Sequence, residues 1–310
     1  FQKNIIFKNL GLAIIDEQHK FGVRQRIELS NKGGKNCDIL LMSATPIPRS
    51  LTLTLHGDQD ISVISELPPG RPPIRTRWIE SDKRDSAYHL ILREINSGRQ
   101  AFIVCPFIEE SEIIQTKAAI KEHQRLSETV FPNHNLGLLH GRMPLCDKEN
   151  VMDQFKNQEL DILVTTPVIE VGIDVPNATV MLIDGADRFG LAQLHQFRGR
   201  VGRGQYPSYC LLLSDVGGNE ARERLRIIER ISDGFKLAEE DLRIRGPGDY
   251  LGTRQSGIPE LKIADITDYE LLSIARREAG KILQDDPNLS NPSNKPLLER
   301  LKSLANNSWI

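Results

Sequence analysis

The sequence predicts an α/β protein built on parallel sheets, followed by a mainly helical C-terminal region that contains a helical hairpin. Three observations lead there: short apolar runs that end in polar residues, their alternation with helical stretches, and a change to arginine-rich helical patterning from about residue 216. Residues 10–16, Leu-Gly-Leu-Ala-Ile-Ile-Asp, and the run from Cys37 to Met42 read as buried parallel strands whose C-terminal ends carry polar residues. Leu-Pro-Pro-Gly-Arg-Pro-Pro at 67–73 can continue neither a helix nor a central strand and reads as a linker. Arg75 to Ile79 is then a strand. Ser81 to Gly98 is a helix with Ser81 as N-cap, Gly98 as the stop, and Tyr88, Ile91, Leu92 and Ile95 on one face. Ala101–Val104, Leu136–Leu139, Ile162–Val164, Val180–Ile183 and Cys210–Leu213 are further strands separated by helical stretches. Such alternation predicts a mostly parallel sheet covered on both faces.

Beyond residue 216 the helical pattern breaks at Arg-Gly-Pro-Gly (245–248), and Asn and Ser dominate near 288–294. A last amphipathic helix is expected, with Leu297, Leu298, Leu301 and Leu304 on one face. The expected division is 1–66 for the C-terminal part of a first sheet domain, 67–73 for the linker, 74–215 for a second sheet domain, and 216–310 for the helical region.

Hydrophobic residues make up 39% of the 310 and charged ones 26%, the balance of a soluble globular protein. No apolar run approaches the length of a bilayer span, and Phe1-Gln2-Lys3-Asn4 does not read as a signal peptide. Cys37, Cys105, Cys146 and Cys210 are scattered, with no two at metal-site spacing, which fits reduced thiols in a bacterial cytoplasm. The net charge of −2 decides nothing about nucleic acid. Eleven arginines do fall between Arg188 and Arg254, among them Arg198, Arg224, Arg226, Arg230 and Arg243. They form either a phosphate-binding patch or solvated helix faces, since Glu223, Glu229, Glu239 and Asp241 are interleaved.

Four motifs carry chemistry. Asp16-Glu17-Gln18-His19 follows the first strand, where α/β sheets bind ligands. In a nucleotide site Asp16 would hold Mg²⁺ and Glu17 would orient the attacking water; the alternative is a polar strand exit without chemistry. Ser43-Ala44-Thr45-Pro46 ends the next strand, and its hydroxyls can either bond the acidic cluster or cap a helix. Thr165 to Val175, which includes Thr166, Gly172 and Asp174, follows another strand. Gln193 to Arg203 contains Gln196, Arg200 and Arg203, the last two on one side if the segment is helical. They are either arginine fingers for a γ-phosphate or a surface-paired basic helix, and Gly199 and Gly202 argue against a simple solvated helix. Gly246, Gly248 and Gly252 mimic a dinucleotide loop but follow a charged segment and not a strand, which excludes that reading.

Asp-Glu-Gln-His, Ser-Ala-Thr-Pro, Val-Gly-Ile-Asp and Gln-x-x-Gly-Arg-x-Gly-Arg stand in the order of motifs II, III, V and VI of helicase superfamily 2. Within it the chain resembles the RecG family over essentially its whole length. The resemblance runs through residues 16–26, 43–49 and 66–71, and Leu-His-Gly-Arg-Met at 139–143 resembles the family's motif IV. Residues 233–257 resemble the translocation motif that this family shares with the transcription-repair coupling factor Mfd. The resemblance implies RecA-like motor domains and an ATP- and Mg²⁺-dependent helicase that remodels branched or duplex DNA. It implies nucleotide binding and coupling at Ser43, Thr45, Gly172, Asp174 and Gln196, with Gln18 and His19 beside the catalytic acids. DNA contact and translocation would fall to His140, Thr165, Thr166, Arg245 and Gln255. It further implies a monomer, no membrane association, a nucleoid location, and a single-stranded-DNA-binding protein as a partner at forks. A non-catalytic duplex-binding fragment and an Mfd-like motor are the other readings.

No phosphate loop of the form G-x-x-x-x-G-K-[ST] is present: neither Gly34-Lys35 nor Gly280-Lys281 has the required neighbours. About 70 residues before the linker is roughly half of what an open parallel sheet domain requires. The expectation is therefore a truncated form without its N-terminal wedge domain, weak in ATP affinity, and exposing one edge and one face of its first sheet.

Overall fold

The computed structural model describes residues 7–17, 37–44, 60–64, 66, 68, 70–105, 112–170, 174–215, 218–245 and 269–308. The chain divides into two compact units, Phe1–Pro46 and Ile47–Ile310.

In the first unit β1 (Leu12–Ile15) pairs in parallel with β2 (Asp38–Leu41), in register from Leu12 against Asp38 to Ile15 against Leu41. Ala13 and Ile15 are buried against Leu10, Cys37 and Leu41. Leu12 and Ile14, on the other face, are 52% and 57% exposed, so among the described residues β1 is buried on one face only. Among the described residues nothing packs on that face, and β2 has no buried residue.

The second unit is built on six parallel strands in the order β3–β8–β7–β4–β6–β5. They are β3 (Ile74–Ile79), β4 (Gln100–Val104), β5 (Leu136–Leu139), β6 (Ile162–Thr165), β7 (Ala178–Asp184) and β8 (Ser208–Leu213). Every expected strand is present within a residue or two of its apolar run. The reason is that central parallel strands are covered on both faces, so β4, β6 and β7 must be written in nearly unbroken apolar residues. Alternate side chains then feed two cores. On one face Ala101, Ile103, Ile162, Val164 and Leu182 pack under α1 (Arg84–Asn96), α2 (Glu112–Arg125) and Phe131. On the other, Phe102, Val104, Leu163, Met181 and Leu212 pack under α3 (Leu145–Lys156) and α4 (Leu191–Arg198).

Helix α1 buries Tyr88, Ile91 and Ile95, with Leu92 partly buried, and Gly98 ends it at φ +77°. Ser81 is not its N-cap. Residues Ser81–Lys83 form a 3-10 turn before the helix, and the Ser81 amide donates to Asp215 Oδ1 at 2.8 Å. The capping carboxylate thus comes from just past β8, the strand paired with β3 but distant in sequence, beyond the reach of local pattern.

The helical region begins with α5 (Asn219–Arg230) and α6 (Gly234–Arg245). Their Leu225, Ile228 and Leu237 enter the same core as α3 and α4, so these helices are part of the sheet's packing. Next come α7 (Tyr269–Asp285) and α8 (Lys295–Ser308). Between them Asp286 accepts hydrogen bonds from the amides of Ser290 and Asn291 at 2.9 and 2.8 Å and from Asn294 Nδ2 at 3.0 Å. The Asn291 amide is the largest influence holding its carboxyl down at about 2. Leu297 and Leu301 of the expected amphipathic face are 42% and 47% exposed. Among the described residues no helix is long and apolar enough to cross a membrane.

Candidate functional site

In the first unit the acidic motif leaves β1 at its C-terminal end. Asp16 is exposed, its Oδ1 accepts from the Glu17 amide at 2.8 Å, and Glu17 sits at φ +50°. A non-glycine residue in the left-handed region costs about 1 kcal/mol and persists where its surroundings dictate it, often at functional positions. The Met42 amide donates to Ile15 O at 2.7 Å, so Ser43 leaves β2 beside Asp16's exit from β1. The structure thus puts the Asp-Glu and Ser-Ala motifs on adjacent strand ends. Gln18, His19 and Thr45 lie outside the described residues.

In the second unit the C-terminal ends of β4, β5 and β6 form one ledge. The Cys105 amide donates to Thr165 O at 2.8 Å and the Thr166 amide to Leu139 O at 3.1 Å. Thr165 and Thr166 are buried, and the Thr165 hydroxyl donates to Thr166 O at 2.7 Å. The Thr165 hydroxyl thereby braces the strand end at which both threonines sit. His140 starts the turn after β5, and Lys148 Nζ donates to Gly141 O at 2.6 Å. Burial first, then the charges of Lys148 and Arg142, hold the His140 imidazole below its ordinary range, so it is neutral at pH 7.

The arginine motif departs from the helical expectation. Helix α4 ends at Arg198, Gly199 is its C-cap, and Gly202 turns the chain at φ +69°. Arg200 and Arg203 therefore project from a loop. A Cβ on Gly202 would lie 2.9 Å from Ile74 Cγ1, and one on Gly204 would lie 2.5 Å from Pro176 O. These close approaches, with the left-handed turn at Gly202, are why the motif needs glycine there. Arg203 donates from Nε to Gly199 O at 3.0 Å and from Nη1 to Asp174 Oδ1 at 3.1 Å, which joins the third and fourth motifs. Gln196 and Arg200 are half-buried in α4 and the turn after it. Gly172 and Gln255 lie outside the described residues, as does the side chain of Arg245, the last residue of α6.

Sequence reasoning missed three residues around this loop. Arg71 donates from Nε to Gly202 O at 2.8 Å and from Nη2 to Gly199 O at 3.5 Å. Burial is the largest influence lowering its pKa, followed by Arg203, with Asp174 opposing. Arg198, which looked like one more basic residue, is buried; it donates to Ile228 O at 2.9 Å, Ile231 O at 2.8 Å and Ser232 O at 3.0 Å. Its Nη2 also lies 2.9 Å from His195 Nδ1, which must accept, leaving the proton on Nε2. Beside that contact Asp233 Oδ1 accepts from the Phe235 and Lys236 amides at the start of α6, a side-chain cap. The only early signal for Arg198 was its place beside the glycine that ends α4. The rest of the arginine stretch is in good part ion-paired: Arg224 to Glu220 at 2.9 Å, and Arg243 to Glu240 at 2.9 Å and to Glu223. The solvated-face reading therefore fits Arg243, 60% exposed, but not Arg224, 17% exposed and also donating to Asp187 O at 2.8 Å.

Comparison with known proteins supplies the family. Residues 82–205 match the helicase conserved C-terminal domain, and residues 231–309 match domain 3, C-terminal, of the ATP-dependent DNA helicase RecG. The ATP-dependent DNA helicase RecG of Synechocystis sp. is 52% identical over 306 residues, which is 98% of this chain and 37% of that protein. A solved structure of RecG bound to a three-way DNA junction is 47% identical, with a TM-score of 0.67, over 87% of this chain and 34% of the other. S. cerevisiae Dbp5, solved with RNA and ADP BeF3, covers 77% of this chain and 64% of its own at 15% identity and a TM-score of 0.51, a likeness of fold alone. This chain thus spans about a third of the length of the RecG proteins it matches.

Two outcomes test the geometry around Arg198. Arg198→Met keeps the bulk but strips donors from three carbonyls; we expect a loss of roughly 3 kcal/mol, read as a lower urea midpoint. His195 is held at about 4, first by burial and then by Arg198, with Asp233 opposing. Its contribution is complete above about pH 6.5, where the unfolded chain's histidine is also neutral. As pH falls from there towards 4 the unfolded chain takes up a proton that the folded one refuses, and about 3 kcal/mol is lost. His195→Asn keeps an acceptor for Arg198 without titrating, so its stability against pH should lack that slope; an unchanged slope would refute the assignment.

Proposed function

Because this chain belongs to the RecG family of DNA helicases, we propose that it is the C-terminal motor portion of an ATP-dependent 3′–5′ helicase and translocase. In this reading it remodels branched DNA, at stalled forks and Holliday junctions, in repair and recombination. The observation that carries it is the loop in which Arg203 is joined to Asp174, on a chain 47% identical to a RecG solved on a three-way junction. An arginine on a short, glycine-shaped loop, beside an acid that can release it, is suited to stabilising charge on a transferring phosphoryl group.

Asp16 presents an exposed carboxylate at the end of a parallel strand, hard oxygen chemistry that suits Mg²⁺. When bound with ATP, that ion would neutralise phosphate charge. Glu17 then orients the attacking water, Arg200 and Arg203 stabilise the developing charge, and Ser43, Thr45, Gln18, His19, Gly172, Asp174 and Gln196 relay nucleotide state. On the DNA side His140, Thr165 and Thr166 contact the backbone, His140 as a neutral hydrogen-bonding group. Arg245 and Gln255 couple closure to movement along the duplex. The protein works as a monomer, with a single-stranded-DNA-binding protein as partner at forks.

The 310 residues contain no phosphate loop, which favours one other reading, a duplex-binding segment without turnover. ATP hydrolysis separates the two. The chain should show no turnover alone. Fused behind the part of the Synechocystis relative that lies outside the match, it should show turnover stimulated by forked DNA. Arg203→Ala in the fusion should lower kcat on the order of 10³-fold. A fusion that binds forked DNA with a steep salt dependence yet never hydrolyses ATP would establish the second reading.

A further inference from the structure

Arg71 lies in the proline-rich segment before β3, far in sequence from the arginine loop, yet its guanidinium reaches two carbonyls of that loop, Gly202 O at 2.8 Å and Gly199 O at 3.5 Å. Gly199 O is also the acceptor for Arg203 Nε at 3.0 Å. One carbonyl is therefore shared by the two arginines, and Asp174 bonds Arg203 from the other side. Ile74, three residues after Arg71, occupies the space that a Cβ on Gly202 would need. The same short segment thus fixes both the height and the backbone orientation of the turn that carries Arg203.

Two like charges held against one carbonyl repel, which is why Arg203 is among the causes that lower the Arg71 pKa. The arrangement holds because each guanidinium has a further acceptor, Gly202 O for Arg71 and Asp174 for Arg203. A guanidinium suits this task better than an ammonium, since its planar fork bonds two carbonyls in fixed directions.

We propose that Arg71 is a positioning residue for ATP hydrolysis: it holds the Gly199–Gly202 turn from the linker and thereby sets where Arg203 points. The proposal rests on the ATP-hydrolysing reading above. Arg71 touches no phosphate; it acts through Arg203. The proline-rich segment before β3 is thereby a direct physical input to the arginine loop.

The test has two arms. In the ¹⁵N-labelled 310-residue chain, the Arg203 Nε–H should exchange slowly with solvent. Arg71→Ala should speed that exchange about tenfold or more, and Arg71→Lys, which can still donate to Gly202 O, should restore part of the protection. In the Synechocystis fusion Arg71→Ala should lower kcat by about 10²-fold with little change in the KM for ATP. The Arg71→Ala/Arg203→Ala double variant should be no slower than Arg203→Ala alone, because a residue that acts only through another has nothing left to lose. Losses that multiply in the double variant, or an Arg203 exchange rate indifferent to Arg71→Ala, would overturn the positioning role while leaving the motor reading intact. A fusion with no turnover at all would overturn the motor reading and the positioning role with it, even where the exchange arm shows the clamp to be real.

Discussion

Helix α5 ends with carbonyls that its own turns cannot satisfy, as every α-helix does. Here the missing donor is Arg198, carried by a different helix, and its guanidinium bonds Ile228 O, Ile231 O and Ser232 O from within the core. A buried cation is tolerable only when nearly all its donors are used, and breaking such a set leaves both charge and carbonyls stranded. The consequence is mechanical. Helix α4 leads into the loop of Arg200 and Arg203, and α6 begins just past the carbonyls that Arg198 holds. Any rotation of the α5–α6 junction must carry α4 with it or break buried bonds. Cooperation between the arginine loop and the helical region thus follows from one guanidinium, and the shared core of Leu194, Phe197, Leu225, Ile228 and Leu237 reinforces it.

The loop itself is rigid for steric reasons. It threads between the start of β3 and Pro176, at separations where even a methyl group would clash, at Gly202 against Ile74 and at Gly204 against the Pro176 carbonyl. Arg71 adds polar attachments to that steric seat. A charged side chain on a loop without such support would sample many orientations, and transition-state stabilisation depends on charge already placed.

Much of the fold was legible because parallel strands covered on two faces leave a strong mark in sequence; β4, β6 and β7 could hardly have been written otherwise. What was illegible depends on partners far away in the chain. Ser81 looked like a cap, and the capping group is Asp215. Arg200 and Arg203 share a side only if the segment is helical; Gly199 and Gly202 argued against a simple helix, but nothing local fixed its end at Arg198. Arg71 was hidden by its proline-rich setting, which announces a linker and says nothing of a contact 131 residues on. The acid motif was legible as a strand exit, and the left-handed turn at Glu17 was not.

The arginines divide into two physical kinds, and the difference decides which can serve a ligand. Arg198 cannot leave its carbonyls without abandoning the core. Arg203 pairs with an Asp174 side chain that is 67% exposed, and Arg243 pairs with carboxylates that are 34% and 47% exposed. Such pairs are weak, because water and salt screen them. An incoming phosphate, with more charge and more acceptor oxygens than a single carboxylate, can therefore displace the acid at low cost. Interleaved acids do not bar this stretch from nucleic acid or nucleotide, because a guanidinium held by one screened carboxylate can exchange it for a stronger anion. A net charge of −2 is thus compatible with phosphate binding, since what matters is how weakly each positive group is already held.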